Sequence, residues 1–126
     1  MRSNRSQDTQ PELTLRKALW MAGLRGYRKN VRRYKGSPDI VFGRARIAIF
    51  VHGCFWHGHR CKNARVPTQN AAFWKAKFER NAERHLAAVE DLTSKGFCVL
   101  TVWECEIKAD LEAIVGRIAH QLGGVL

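Results

Sequence analysis

Apolar side chains recur every three or four residues in three stretches of the chain, which is the spacing of amphipathic helices. The first helix is predicted to begin at Thr9–Glu12 and to end at Gly23. The second is predicted over residues 71–94 and the third over residues 109–122. Each helix should bury one face, and the apolar positions that define these faces include Leu15, Leu19, Phe78, Leu92, Ile114 and Ile118.

Short runs rich in branched and aromatic residues, typical of β-strands, lie between the predicted helices. Residues 26–36 alternate weakly and hold many basic side chains, which indicates a strand joined to a basic loop. Asp39–Phe42 and Arg46–Val51 are separated by a short turn and should form a hairpin whose second strand is largely buried. Phe97–Trp103 is predicted to be another buried strand. This order of elements indicates an α/β fold, with a mixed central β-sheet flanked by helices on both faces.

The length of 126 residues fits one compact domain and excludes a multidomain enzyme. Residues 1–10 are polar and basic, and we expect them to form a flexible arm ahead of a single domain at residues 11–126. No stretch reaches the ~18 to 20 apolar residues of a transmembrane helix, and the opening lacks the apolar region of a signal peptide. We therefore expect a cytoplasmic protein with reduced cysteines and no membrane partner.

Lysine and arginine outnumber aspartate and glutamate, 22 to 11, and give the chain a formal net charge of +11. A surplus of this size favours a polyanionic partner, and nucleic acid is the natural candidate. A basic protein whose surface is merely solvated is the alternative, because charge alone predicts non-specific association. The charge therefore indicates nucleic acid as the partner but does not establish the function.

Three candidate metal ligands, Cys54, His59 and Cys61, lie within one short segment, and Cys105 lies just past the last predicted strand. Together they can form a tetrahedral Cys₃His site, and four protein ligands of this kind indicate structural zinc. Cys98 is a weaker fourth ligand, because it lies inside an apolar run where a thiol usually packs as a small hydrophobic side chain. The alternative for these cysteines is simple burial in the reduced form.

Pro38–Asp39 opens one predicted strand, and the next buried strand ends at Phe50–His52. Restriction-endonuclease-like nucleases are similar here, since in them a Pro-Asp pair is followed by an acidic residue, one spacer and a lysine at the end of the next strand. In those enzymes two acids bind Mg²⁺ beside the scissile phosphate. In this chain Phe50 and His52 occupy the acid and lysine positions. The alternative for Asp39 is that it is only a turn residue.

A wider pattern joins these clusters and covers roughly residues 1–106: Asp8–Thr9, Pro11–Glu12, Pro38–Asp39, His52–His57, His59, Cys61, Phe73–Trp74, Asn81, Arg84 and Val102–Cys105. This pattern resembles the very short patch repair (Vsr) mismatch endonuclease family. The resemblance implies a restriction-endonuclease-like fold with a structural zinc site. The implied activity is that of a Mg²⁺-dependent DNA repair endonuclease, which nicks one strand 5′ of the thymine in a T:G mismatch left by deamination of 5-methylcytosine.

The resemblance also implies a role for each residue around the cleaved phosphate. Asp39 and the backbone carbonyl of Val51 would bind Mg²⁺, and Glu12 would contact it through water. His57 would act on the attacking water, and His52 would lie near the phosphate. Two of these residues have simpler alternatives, because Glu12 is a favourable charge at a helix N-terminus and His52 suits a strand end.

Two adjacent aromatic residues, Phe55 and Trp56, lie between the predicted zinc ligands, where both cannot easily reach a core. Aromatic side chains that insert between base steps are one way to read and bend DNA. In the family that the chain resembles, the equivalents of Phe55, Trp56 and Trp74 intercalate beside the mismatch. For Trp74 the alternative is burial in the core, with Phe73 as the exposed member of the pair.

Two positions depart from the pattern of that family. Val51 stands where a threonine is usual, which leaves a backbone carbonyl ligand intact. His85 replaces an aspartate that would orient the base histidine, so the support of His57 would differ from the family's. As side chains of predicted helices, His85 and His120 are expected to be exposed.

Two other functions are compatible with these residues. One is a zinc-stabilised DNA-binding module without nuclease activity, and the other is a restriction-like nuclease of the same fold with a different site preference. A cysteine-based redox protein is disfavoured, because the chain has no Cys-x-x-Cys pair. We expect catalytic Mg²⁺ and structural Zn²⁺ as cofactors. The expected partners of this nucleoid-associated prokaryotic monomer are double-stranded DNA with a T:G mismatch and mismatch-repair proteins.

Overall fold

The computed structural model describes residues 9–53 and 69–123, which form helices on both sides of one sheet. In chain order the elements are α1 (Gln10–Met21), β1 (Arg28–Lys29), β2 (Ile40–Phe42), β3 (Ile47–His52), α2 (Ala71–Ser94), β4 (Cys98–Trp103), α3 (Glu104–Ala109) and α4 (Leu111–Gly123). The predicted arm at residues 1–10 lies almost entirely outside the described residues. In the two described ranges, no helix has the length and apolar character needed to cross a membrane.

The strands form one mixed sheet in the order β1, β2, β3, β4. β2 pairs antiparallel with both β1 and β3, whereas β3 and β4 run parallel. The parallel register aligns Ile47 with Cys98 at one end and His52 with Trp103 at the other. The carboxyl ends of β3 and β4 therefore meet at one edge of the sheet, and β2 begins beside them.

Alternating side chains of the strands contribute to two separate cores. On one face, Ile47 and Ile49 of β3 belong to a cluster that also includes Leu15, Leu19, Ile107, Ile114 and Ile118 of α1, α3 and α4. On the other face, Ala48 and Phe50 pack against α2. Helices thus cover both sides of the sheet, which confirms the predicted mixed α/β architecture.

The long predicted elements match the observed ones closely. α1 begins just after Thr9, α2 spans the predicted residues 71–94, and the last predicted helix is observed as Leu111–Gly123. The predicted hairpin is formed by β2 and β3, with Asp39 directly ahead of β2. These elements place the candidate chemistry at one edge of the sheet.

Two predicted strands differ from the observed ones. Of the strand predicted within residues 26–36, only Arg28–Lys29 pairs in the sheet, because Asn30 turns the chain with a φ of 52°. β4 is less buried than predicted, and Val102 is its one buried residue. The reason is its position at an edge of the sheet, where one side of the strand has no neighbouring strand among the described residues.

The sequence patterns do not predict α3, which follows β4 directly. It has six residues, too few to show a helical period, and Ile107 is its buried residue. The side chain of Glu106 accepts a hydrogen bond from the backbone nitrogen of Trp103 (2.9 Å), which satisfies a donor at the start of the helix. α3 places Cys105 immediately beyond the edge where β3 and β4 end.

Candidate active site

Two buried carboxyl groups meet where β2 begins and β3 ends. Glu12 lies in the first turn of α1 and is 2% exposed, and Asp39 lies one residue ahead of β2 and is 9% exposed. The two side chains are hydrogen-bonded to each other. Because acidic side chains are seldom fully buried, a buried pair of them marks a candidate site for chemistry.

Neighbouring residues hold both carboxyl groups in place. The Thr9 hydroxyl donates a hydrogen bond to Glu12 Oε2 (3.0 Å), and Arg16 Nη1 lies 3.7 Å from Glu12 Oε1 one helical turn further on. Asp39 Oδ2 accepts a hydrogen bond from the backbone nitrogen of Val51 (2.6 Å). The pair therefore ties α1 to the ends of β2 and β3.

Burial is the main reason that the pKa of Asp39 is raised from 3.8 to about 7. The hydrogen bond from Val51 and the positive charge of Arg16 oppose this shift of the pKa, whereas the negative charge of Glu12 adds to it. The Asp39 carboxyl, buried beside a second carboxyl group, thus retains its proton up to about neutral pH. Oxygen donors of this kind are the ligands that Mg²⁺ prefers, so the residues present fit that cation.

The raised pKa of Asp39 predicts a measurable effect on stability. A protonated Asp39 stabilises the folded chain, so this contribution is complete below about pH 4 and is lost as the pH rises through 7. Asp39→Asn keeps the shape of the side chain and cannot ionise. In buffer without divalent cations, we expect its free energy of unfolding, relative to that of the parent, to rise by about 2 to 3 kcal/mol between pH 5 and pH 8.

Urea unfolding of the parent and of Asp39→Asn at the two pH values measures this difference. Glu90→Gln serves as a matched control, since it removes an exposed carboxylate from α2. The control should follow the parent at both pH values. Parallel pH dependences of the parent and Asp39→Asn would show that the pKa of Asp39 is not raised.

A second group of polar and aromatic side chains lies on the α2 face of the same edge. His52 is buried, and alternation along β3 directs its side chain toward α2. Its ring centroid is 4.3 Å from that of His85 and 5.1 Å from that of Trp103. Strand β3 therefore separates the ring of His52 from the Glu12–Asp39 pair on the α1 face.

His85 is half-buried, so the prediction of an exposed helix residue is wrong. Its Nε2 lies 3.0 Å from the Thr101 hydroxyl of β4, and its ring packs edge-on against His52. Burial also lowers the pKa of His85 below 6.5, which favours the neutral ring. His85 precedes the buried Ala88 and Leu92 by three and seven residues, and this helical spacing is the signal that could have placed it on the inner face of α2.

The aromatic pair at the start of α2 lies outside the core. Phe73 is 57% exposed and Trp74 is half-buried, with their ring centroids 5.3 Å apart. The ring of Phe78, one turn further along the helix, lies 6.1 Å from that of Trp74. Phe73 is the more exposed ring of the two, as the core alternative for Trp74 predicts. Trp74 itself, however, is half-buried and is not a core residue, so neither alternative for Trp74 holds in full.

Of the predicted zinc ligands, only Cys105 belongs to the part of the chain that the structure describes. It is half-buried in α3, two residues past the end of β4. Cys98 begins β4 at the opposite end, and its sulfur accepts a hydrogen bond from Gln121 Nε2 (2.9 Å). Within residues 9–53 and 69–123, no group of three or more His, Cys, Asp or Glu side chains is arranged to hold a metal ion.

Several predicted site residues lie in segment 54–68, outside the described residues; they are Cys54, Phe55, Trp56, His57, His59 and Cys61. Arg16 is a further residue of this site that was not among the predicted site residues; it is 7% exposed and faces Glu12. The four-residue spacing of an acidic and a basic side chain on a predicted helix is the signal that could have found it. His120 is exposed, as predicted.

Comparison with known proteins points to one family. Residues 1–63 match the family described as DNA mismatch endonuclease Vsr. The chain is 46% identical over 103 residues to the type II nicking enzyme V.NmeAIP of Neisseria meningitidis, covering 82% of this chain and 73% of that protein. It is 38% identical over 122 residues to the type II nicking enzyme V.XorIIP of Xanthomonas oryzae, covering 97% and 88%. It is 38% identical over 128 residues to the DNA mismatch endonuclease Vsr of Escherichia coli, covering 98% and 81%.

Proposed function

The chain belongs to the Vsr family of DNA mismatch endonucleases, and from that premise we propose that it nicks one strand 5′ of the thymine in a T:G mismatch with Mg²⁺ as the catalytic cation. It is a DNA endonuclease, and DNA is its substrate. The observation that carries the proposal is the contact of two buried carboxyl groups, Glu12 and Asp39, at the edge where β2 begins and β3 ends. This placement on a mixed sheet also supports a restriction-endonuclease-like fold.

Asp39 and the backbone carbonyl of Val51 would hold Mg²⁺, with Glu12 in contact through water. The N–H of Val51 points at Asp39, and within a strand the carbonyl of a residue projects to the same side as its N–H. A carboxylate, a carbonyl and several waters are a ligand set that suits this cation. When bound, Mg²⁺ would supply positive charge to the oxygens of the scissile phosphate.

Histidine side chains would carry the proton transfer, because the two carboxyl groups are committed to the cation. We assign His57 as the acceptor of a proton from the attacking water and place His52 near the phosphate. In this chain His85 packs against His52 and is anchored by Thr101, so it fixes the orientation of the His52 ring. His85, at the position where the family has an aspartate, would therefore support His52 in this chain.

Mismatch recognition is assigned to Phe55, Trp56 and Trp74, which would insert beside the T:G pair. A mismatched step loses less stacking energy when it is opened, so insertion itself discriminates against a matched duplex. The exposure of Phe73 and the partial exposure of Trp74 support an aromatic surface at the start of α2.

A structural Zn²⁺ held by Cys54, His59, Cys61 and Cys105 would fix the segment that carries His57. β3 leads into this segment, and Cys105 follows β4 at the same edge of the sheet, which supports Cys105 as the fourth ligand. Four protein ligands leave no open position, so this ion would be structural. One active site suffices to cut one strand, and we propose that the enzyme acts as a monomer.

Nicking assays on duplexes that differ at a single base pair test the proposed function. With Mg²⁺, we expect a nick 5′ of the thymine in a T:G duplex and none at the same position of a C:G duplex. Comparable cleavage of both duplexes would indicate a restriction-like nuclease, and binding without cleavage would indicate a DNA-binding module. Either outcome rejects the proposal. Parallel assays with U:G pairs, with several flanking sequences and without Mg²⁺ define the substrate and the cation.

A further inference from the structure

Exposed basic side chains cluster on β1, in the loop between β1 and β2, and in the turn between β2 and β3, with one more just ahead of β1. They are Arg25, Arg28, Lys29, Arg32, Arg33, Lys35, Arg44 and Arg46. Asp39 is the one acidic residue in the sequence between positions 25 and 46, and it is buried. Eight positive charges less one negative charge give this stretch a formal +7, more than half of the +11 carried by the whole chain.

Four of these arginines line an open groove of about 420 Å³, which we call the arginine groove. Arg28 lies on β1, Arg33 in the loop that follows, and Arg44 and Arg46 in the turn between β2 and β3. No acidic side chain is among the described residues that line it. Its apolar lining consists of Val31, Tyr34, Val41 and Phe97.

Packing against α2 fixes one wall of the arginine groove. The loop between β1 and β2 passes α2 at Gly36, which has a φ of 83° and where a Cβ would lie 2.6 Å from Cβ of Ala88. In the same loop, the ring of Tyr34 packs edge-on against Phe97 at 5.1 Å, and the Arg33 guanidinium lies 5.1 Å above Tyr34. The groove therefore presents its arginines from a packed scaffold.

We propose that the arginine groove binds the phosphate backbone of the DNA substrate at a point outside the mismatch. Guanidinium groups donate paired hydrogen bonds to phosphate oxygens, and four of them line this groove with no carboxylate to compete. Two of the four also donate within the protein, Arg46 to the Lys95 carbonyl (2.8 Å) and Arg33 to the Tyr34 hydroxyl (3.3 Å), and a guanidinium has further N–H groups to offer. Basic residues on an edge strand also discourage pairing between molecules, but that role does not explain Arg44 in the hairpin turn, and Arg46 there has a structural role in its hydrogen bond to the Lys95 carbonyl. The proposal rests on the endonuclease activity and not on the T:G preference.

The register of the sheet gives the distance between the groove and the candidate active site. Val41 in the groove pairs with Ala48 of β3, and His52 lies four residues further along the same face of that strand. Four strand residues span about 13 Å, and B-DNA rises about 3.4 Å per base pair. Arg46 of the groove comes six residues before His52, about 20 Å along the chain. For a duplex that runs along β3, a backbone held in the groove is therefore expected roughly four to six base pairs from the end of the sheet that carries the candidate active site.

Two double variants with the same change in charge test this proposal. Arg28→Gln with Arg44→Gln alters the groove, whereas Lys108→Gln with Arg117→Gln removes two exposed charges from α3 and α4 on the opposite face of the sheet. Binding of a T:G duplex is measured across a salt series without divalent cations. The groove variant should reduce the slope of log affinity against log salt by about two units, and the control by less than one.

Duplexes shortened one base pair at a time from either end locate the contact. The parent should lose affinity at the length where the groove loses its phosphates, and the groove variant should show no such step. Equal losses of slope in the two double variants, or a groove variant that keeps the parent's slope, would overturn the proposal. A groove variant that binds DNA normally but no longer binds a polyglutamate peptide would identify an acidic peptide as the occupant and reject DNA. Because binding is measured without cleavage, failure of the T:G nicking assay leaves this test intact.

Discussion

Asp39→Asn is expected to abolish nicking while the protein stays folded and still binds DNA. The substitution keeps an oxygen that can accept the hydrogen bond from Val51, but it removes the negative charge that would hold Mg²⁺. Loss of a cation that stabilises transition-state charge by several kcal/mol should slow nicking by about 10³-fold or more. Single-turnover nicking of a T:G duplex at saturating Mg²⁺ measures this rate.

The stability prediction for the same variant makes this experiment decisive. Because Asp39→Asn should be more stable than the parent at pH 8, its loss of activity cannot be explained by unfolding. Glu90→Gln should nick at the parent's rate, and the affinity of Asp39→Asn for the duplex should match or exceed the parent's, since the variant carries less negative charge. A rate for Asp39→Asn within about tenfold of the parent's would remove Asp39 from the proposed chemistry.

Sequence patterns predict the parts of this fold that consist of long regular elements. α2 has 24 residues, and its predicted and observed bounds agree because apolar residues recur along it and Gly96 follows its end. The hairpin of β2 and β3 is predicted for a similar reason, since two apolar runs flank a short turn. In both cases the local sequence and the tertiary packing favour the same structure.

The elements that sequence patterns miss are short or depend on packing. β1 pairs through only two residues and α3 has six, so neither is long enough to show a period. The burial of His85 depends on where α2 crosses β3 and β4, because its contacts are His52 and Thr101. A contact between residues far apart in the chain leaves no local pattern.

The Glu12–Asp39 pair shows the same limit at the candidate active site. Taken one at a time, Glu12 is explained by a helix N-terminus and Asp39 by a turn. Their roles follow from the family resemblance, and their contact arises because α1 packs on the face of the sheet beside the start of β2. The raised pKa of Asp39 is a property of that contact and of burial, so no reading of either residue alone could give it.

Cys105→Ala is expected to lose bound zinc, whereas Cys98→Ala is expected to retain it. The register of β3 and β4 places Cys98 beside Ile47, at the end of the sheet opposite His52 and Trp103. Trp103 comes five residues after Cys98 on β4, a span of about 16 Å, whereas the sulfur of a zinc-bound cysteine lies about 2.3 Å from the metal. Cys54 comes two residues after His52 in the chain, and two residues of extended chain span at most about 7 Å. A metal bound by Cys54 is therefore expected to be within reach of Cys105 rather than of Cys98.

Elemental analysis of the purified parent should find about one zinc ion per chain, and the two cysteine variants should differ as stated. Structural zinc in small peptides contributes ~10 to 16 kcal/mol, so Cys105→Ala should also unfold at a lower temperature than the parent. Cys98→Ala loses a half-buried hydrogen bond from Gln121 but no ligand, and its zinc content should be unchanged. Zinc loss in Cys98→Ala alone would move the site to the other end of the sheet, and a zinc-free parent of full stability would remove the site altogether. The proposed chemistry depends on this outcome, because the zinc ligands His59 and Cys61 follow His57 closely and would fix its position.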